Sequence, residues 1–271
     1  GNLQATTADL GANWTWGFAA HQYDFVDDAA ANNAINGNGT VSANGTVDLF
    51  GWSTSATKYG IHNGTNSNIS DYAGDFVDWG TTMGEGWFTL TKEQWEYLFN
   101  TRTGDKAATV NSVADCRYTK ATINTDGTVV MGIILFPDGG TFAASEFTEV
   151  GSPNTEDANY TTTCTTAQWN ALQAKGCVFL PAAGRRYGAS VSNVGSNGYY
   201  WSSSPKPSTD DAYYVFFYSG YMSPTYNDFR CLGLSVRLVI EAPASPLNEA
   251  QAVKDLIDAI PQPVVYTPEC K

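Results

Sequence analysis

An α+β fold with an antiparallel sheet is what this sequence predicts. Two capped helix signatures lie in its first two thirds and a cluster of short strand signatures comes after Cys177. Composition agrees with a packed core: aromatics make up 13% of the 271 residues and charged residues only 15%, the reverse of a disordered chain. The first eighty residues alternate aromatic clusters with turn-rich stretches. WTWGFAAHQYDFV (14–26) leads into AANNAINGNGTVSANGT (30–46), full of Asn-Gly signals, and then into VDLFGWSTSATKYGIHNGT (47–65). Long polar loops of this kind are costly to order, so Trp14, Trp16, Trp52 and Trp79 are the expected anchors to a core.

The first helix is predicted at LTKEQWEYLFNTR (90–102), where Thr91 and Gln94 form a capping box and Trp95, Leu98 and Phe99 make one apolar stripe. The second is TTAQWNALQAKG (165–176), capped by Thr165 or Thr166, striped by Trp169 and Leu172, and stopped at Gly176. Between them VVMGIILFPD (129–138) has the pattern of a fully buried strand. CVFLPAAG (177–184), GYYWSSS (198–204), AYYVFFYSG (212–220) and LSVRLVI (234–240) are predicted as short strands. YMSPTYNDFRCLG (221–233) has the composition of a loop. A body is expected over 1–240. EAPASP (241–246) is then a linker, and LNEAQAVKDLIDAI (247–260) is the start of a helical module or a docking tail within 241–271.

The formal charge of −13 and the shortage of Lys and Arg leave no basic stripe for nucleic acid or for an anionic membrane surface. The longest apolar run, Val129 to Phe136, is far short of the roughly 20 residues of a membrane span, so no direct membrane insertion is expected. A surface rich in Asn, Thr, Ser, Gly and Tyr and poor in Lys and Glu has an extracellular character. Cys116, Cys164, Cys177, Cys231 and Cys270 show neither a CxxC pair nor metal spacing, which favours buried thiols over a disulfide framework.

No catalytic signature stands out. A Gly-x-Ser-x-Gly elbow is missing. NGNGTVSANG (36–45) is Gly-rich but lacks the Lys and the preceding strand of a phosphate loop. His62 belongs to a polar turn. Asp27, Asp28 and the Asn-rich loop offer oxygens suited to calcium without EF-hand spacing, so no metal site and no cofactor are assigned.

The densest aromatic run is 199–232, with Tyr199, Tyr200, Trp201, Tyr213, Tyr214, Phe216, Phe217, Tyr218, Tyr221, Tyr226 and Phe229. Strand alternation puts Ala212, Tyr214, Phe216 and Tyr218 on one face and Tyr213, Val215, Phe217 and Ser219 on the other. If one face packs on the core, aromatics on the second are displayed. Tyr mixed with Ser, Asn and Asp is the vocabulary of a recognition surface. A second core beneath a loop explains the same composition equally well.

FLPAAGRRYG (179–188), GSNGYYWSSS (195–204), DAYYVFFYSG (211–220) and LSVRLV (234–239) resemble bacterial surface proteins with a C-type-lectin-like domain related to the formylglycine-generating enzymes. VDLFGWSTSATKYGIHN (47–63), YAGDFVDWG (72–80) and GWFTLTKEQWEYLFNTR (86–102) are similar to the N-terminal half of the same proteins. The resemblance implies a C-type-lectin-like fold with two helices, an antiparallel sheet and long polar loops. Some members are variable proteins of diversity-generating retroelements, whose Asn codons are scattered at surface positions ahead of a closing strand. Carried over, the diversified, ligand-binding positions are Tyr214, Phe216, Tyr218, Tyr221, Ser223, Thr225, Tyr226, Asn227, Asp228, Phe229, Cys231 and Leu232, each a type reachable from an Asn codon by changing adenines. Val215, Phe217, Ser219, Gly220, Arg230 and Gly233 are then scaffold.

The resemblance thus implies a non-enzymatic adhesin or receptor-binding domain at the cell surface, with a protein or glycan on another cell as partner. An oxidase-like or carbohydrate-active enzyme on the same fold is the alternative. It is weakened because only Cys231 stands where the related enzymes carry a close cysteine pair; the calcium–sugar motifs of animal lectins are missing too, so the resemblance implies a fold and not sugar binding. A structural surface domain without a dedicated ligand is a third reading.

Overall fold

Both helix signatures fold as their caps dictate, and both helices are short. The computed structural model describes residues 1–7, 14–26, 46–52, 74–143, 146, 153–156, 159–187, 190–207 and 210–241. Thr91 closes a capping box with Gln94 and opens α1, Lys92–Glu96, which runs on as a π-helical turn, Tyr97–Thr101. Trp95 and Phe99 enter the core and Leu98 packs at its margin. Thr165 makes the same box with Gln168 ahead of α2, Thr166–Ala174, which buries Trp169 and Leu172. Gly176 (φ +94°) then takes the left-handed conformation that ends a helix.

Everything else regular is strand, apart from short 3₁₀ turns. In chain order come β1 (Leu3–Thr7), β2 (Trp14–Phe18), β3 (Thr46–Val47), β4 (Leu49–Phe50), β5 (Trp87–Thr89), β6 (Ala108–Val110) and β7 (Val113–Cys116). The long hairpin β8 (Tyr118–Thr125) and β9 (Thr128–Leu135) precedes β10 (Thr141–Phe142), β11 (Thr162–Thr165) and β12 (Val178–Pro181). The last third holds β13 (Arg185–Tyr187), β14 (Ser190–Ser192), β15 (Gly198–Pro205), β16 (Asp211–Tyr218), β17 (Tyr221–Phe229), β18 (Leu234–Ser235) and β19 (Leu238–Ile240).

These assignments correct the expected α+β, C-type-lectin-like class. Among the described residues strand makes up 47% and helix 15%, and the strands form six separate sheets: the fold is β-rich. Caps and stripes mark where a helix begins, not what share of the chain helices take. Strands, by contrast, are completed by partners distant in sequence. Residues 221–229, expected as loop, become β17 because β16 supplies their backbone partners. Pairing is mixed rather than purely antiparallel, with β11 on β8, β10 on β6 and β18 on β15 all parallel.

One sheet carries the site. Its order is β17-β16-β15-β18-β4, and both of its faces are covered in the middle. On one face Trp201, Ala212 and Tyr214 pack with Leu3, Val47, Phe50, Trp52 and Trp79. On the other, Tyr200, Val215, Phe217 and Met222 pack with Trp95, Phe99, Ile133 and Leu180. Burying each large side chain of this kind is worth about 1.5–3 kcal/mol. The expectation that one face of β16 packs and the other is displayed is therefore corrected, because the strand runs between two cores. Three indoles tie the layers together: Trp95 Nε1 donates to Trp201 O (3.2 Å), Trp201 Nε1 to Phe50 O (2.8 Å) and Trp52 Nε1 to Ser202 O (2.9 Å). Gly198 permits a close approach, since a Cβ there would lie 2.0 Å from Phe217 Cζ. A third cluster, around Trp169 and Leu172 of α2, joins the sheet β11-β8-β9-β12.

Contacts divide the chain into two units, Gly1–Val239 and Ile240–Lys271. Most of the second unit, including the expected helix 247–260 and Cys270, lies outside the described residues, as do Asp27, Asp28, loop 36–45 and His62. Of the expected tryptophan anchors, Trp52 and Trp79 are buried and Trp16 packs against the same core, whereas the side chain of Trp14 lies outside the described set. No described helix is long and apolar enough to cross a membrane.

Candidate functional site: the aromatic ridge of the β16–β17 hairpin

The hairpin turns at Ser219–Gly220, where Gly220 adopts φ +85°, a conformation costly for other residues. From the turn the register runs Tyr218↔Tyr221, Phe217↔Met222 and Phe216↔Ser223, then shifts before resuming at Tyr214↔Tyr226. The extra β17 residue falls at Pro224–Thr225. A proline has no N–H for the ladder and is tolerated there because β17 is an edge strand with a bulge. The bulge reverses the facing of the rest of the strand. Without it Tyr226 would share a face with Met222; with it, Tyr226 and Asp228 join Tyr214, Phe216, Tyr218, Tyr221 and Ser223.

The result is a ridge of rings centred on Phe216. Its centroid lies 4.9 Å from Tyr199, 5.3 Å from Tyr226, 5.4 Å from Tyr218 and 5.8 Å from Tyr221. Tyr218 stacks on Tyr221 at 5.6 Å. Such pairs contribute about 0.5–1.5 kcal/mol each, so the ridge is held in shape without a ligand. It is graded in depth: Tyr214 is 1% exposed, Phe216 and Tyr221 are half-buried, and Tyr218 and Tyr226 are 38% and 42% exposed.

Charge enters at one side. The Arg185 guanidinium of β13 lies 5.5 Å over the Tyr199 ring, and its Nη1 is 3.3 Å from Asp228 Oδ2. Both partners are about a third exposed, so the pair positions more than it stabilises. Tyr199 OH accepts from Asn193 Nδ2 (2.9 Å) and Asn197 Nδ2 (3.1 Å), which ties the ridge to the 193–197 turn.

The remaining expected site residues are dispersed. Asn227 and Phe229 pair with Tyr213 and Asp211 and so lie on the opposite face. There Lys206 Nζ donates to Asn227 Oδ1 (2.8 Å), while Phe229 is exposed. Thr225 sits in the bulge. Three assignments to the surface are corrected. Tyr214 packs edge-on against Trp201 at 5.7 Å, Leu232 belongs to the core of Phe50 and Trp52, and Cys231 is 4% exposed. For Tyr214 the physical reason is the core over that face, which alternation within one strand does not reveal; Cys231 and Leu232 lie in the turn after β17, which is itself buried, and Leu232 belongs to that same core.

Sequence alone does not reveal Arg185, Tyr199, Asn193 and Asn197 as site residues. GRRYG and GSNG carry turn signals, but nothing local says that they meet a hairpin many residues downstream.

The thiols are poorly suited to chemistry. The four described cysteines, Cys116, Cys164, Cys177 and Cys231, are free and buried. Burial raises the Cys231 pKa and pushes Cys164 to about 11 and Cys177 to about 12, away from the reactive thiolate. Among the described residues no three His, Cys, Asp or Glu side chains converge as a metal site. His21 has a local role, with Nδ1 2.9 Å from Asp24 Oδ2 and its ring stacked on Tyr23.

Residues 140–239 match a family described as a domain of unknown function, DUF8237. The matched stretch spans β10 to β19 and includes the whole hairpin and Arg185. No curated protein and no solved structure matches the chain.

Proposed function

We propose that this protein is a non-catalytic ligand-binding module that acts outside the cell, and that the aromatic ridge of the β16–β17 hairpin is its recognition surface. The observation that carries this reading is the half-exposed ring cluster of Phe216, Tyr218, Tyr221 and Tyr226, flanked by the Arg185–Asp228 pair. Contiguous exposed aromatics in a stable chain call for a partner, and rigid rings bind at low entropic cost. The partner is a protein or glycan on another cell surface. Affinity comes from desolvating a few rings, at about 2 kcal/mol or more for each hot spot.

Diversification by a retroelement is part of the same proposal. The positions free to vary are Phe216, Tyr218, Tyr221, Ser223, Thr225, Tyr226, Asn227, Asp228 and Phe229, while Tyr214, Cys231 and Leu232 are constrained by burial. The buried Cys231 thiol weighs against oxidase chemistry.

The test is the double variant Tyr218→Ala/Tyr226→Ala, made beside the parent and screened as labelled full chain on a glycan array and on intact cells. The expected result is a nearly unchanged melting temperature with loss of every parental binding signal. A drop of many degrees would make the rings structural, and a parental screen blank at high concentration would remove the binding role. An adenine-rich near-copy of the segment coding 199–239 beside a reverse transcriptase gene is the expected genomic signature of diversification.

A further inference from the structure

We propose that the cleft at the hairpin turn is a subsite for one uncharged sugar ring. It forms where Tyr218 and Ser219 meet Tyr160, Ser196 and Asn197 over Met131 of β9, an open cleft of about 370 Å³. That is the small end of the roughly 300–1,000 Å³ range of ligand pockets, too little for a folded partner's side and enough for a single ring.

The chemistry of the lining narrows the ligand. None of the six side chains is Lys, Arg, His, Asp or Glu, in a chain whose formal charge is −13. A charged ligand would shed its hydration shell there and meet no counter-charge among the described lining residues. A wholly apolar ligand would leave the spare lone pairs of Ser196, Ser219 and Asn197 facing no donor. What remains is a neutral ligand with an apolar face and a polar edge. A pyranose has both, with axial C–H groups for the Tyr160 and Tyr218 rings and hydroxyls for the rim.

The rim is already organised. Tyr160 OH donates to Ser196 O (2.9 Å), Ser196 Oγ to Asn197 Oδ1 (2.9 Å) and Asn197 Nδ2 to Tyr199 OH (3.1 Å), while Ser219 Oγ bonds to Asn159. The Tyr160, Ser196 and Ser219 hydroxyls and the Asn197 carbonyl oxygen each keep a lone pair for a sugar O–H, and little side-chain entropy is left to lose on binding.

This inference rests on the recognition role of the ridge, with which it shares Tyr218. The test is saturation-transfer NMR on the full chain with the methyl glycosides of glucose, galactose, mannose and N-acetylglucosamine, at millimolar concentration, with glucuronate as the charged control. At least one neutral glycoside is expected to show transfer, strongest on the C–H groups of one ring face, and glucuronate none. Filling the cleft with Ser219→Trp, or removing a wall with Tyr218→Ala, is expected to abolish the transfer, while Tyr226→Ala retains it. Absence of transfer from all four glycosides, or transfer unchanged in both cleft variants, overturns the subsite. If cell binding still depends on Tyr226 in that case, the ridge stands without it. Sugar transfer in a chain that binds no cell or array would instead leave the subsite and remove the ridge.

Discussion

The base and the tip of strand β16 carry the same kind of side chain on the same face, and they have opposite fates. Tyr214 is sealed against Trp201 beneath the core of Phe50 and Trp79, whereas Tyr218, four residues on, is 38% exposed and stacked on Tyr221. Alternation determines which face a residue takes; it says nothing of depth. Depth is set by where the covering layer stops, and here the covering residues come from β1, β3, β4 and the Trp79 turn, all far away in the chain.

That contrast breaks most visibly under truncation. Tyr214→Ala should cost about 3–5 kcal/mol, whereas Tyr226→Ala should cost ~1 kcal/mol or less, as measured by chemical denaturation of the two variants in parallel. Equal losses would mean that the tip is as structural as the base. A smaller effect is expected on the opposite face. Gly198→Ala, which sets a methyl against Phe217, should cost roughly 1–3 kcal/mol through overpacking while leaving array or cell binding by the folded protein intact.

A third measurement uses pH. Burial raises the Tyr214 phenol above its usual pKa, so its share of stability is complete below pH 10.0, the unfolded value, and is lost as pH rises beyond it. Tyr200 and Tyr118 are raised in the same direction by their own burial, so alkaline destabilisation is shared. Tyr214→Phe should therefore make the decline in melting temperature above pH 10.0 shallower without removing it. The smallest effect belongs to the rim. Asp228→Asn breaks a surface pair with Arg185 and should shift stability by about 1 kcal/mol or less, with the larger change in binding.

Local chemistry was legible where it is satisfied locally. The capping boxes at Thr91 and Thr165 need only a residue three positions on, so both helix starts were predictable, as were the stripes Trp95/Phe99 and Trp169/Leu172. The strand character of 129–135, 198–204 and 212–218 came from apolar or alternating runs bounded by turns. The Tyr221–Phe229 segment failed the same test because Pro224, Asn227 and Asp228 are poor strand formers by themselves. Only its pairing with β16 makes it a strand, and only the bulge at Pro224–Thr225 returns Tyr226 to the Phe216 face. Arg185 was invisible as a neighbour of Asp228, since the two are 43 positions apart.

By itself the sequence determined the helix caps, the strand cores, the acidic and cation-poor surface, and the concentration of aromatics in 199–232, because each depends on neighbours within a few positions or on composition alone. Tertiary structure decided that strand outweighs helix, that Tyr214, Cys231 and Leu232 are interior, and that Tyr199 stacks on Phe216, Arg185 meets Asp228 and Asn197 lines a cleft with Tyr218. Those outcomes depend on which distant strands pair and where one layer ends over another, and no short-range pattern in the chain encodes either.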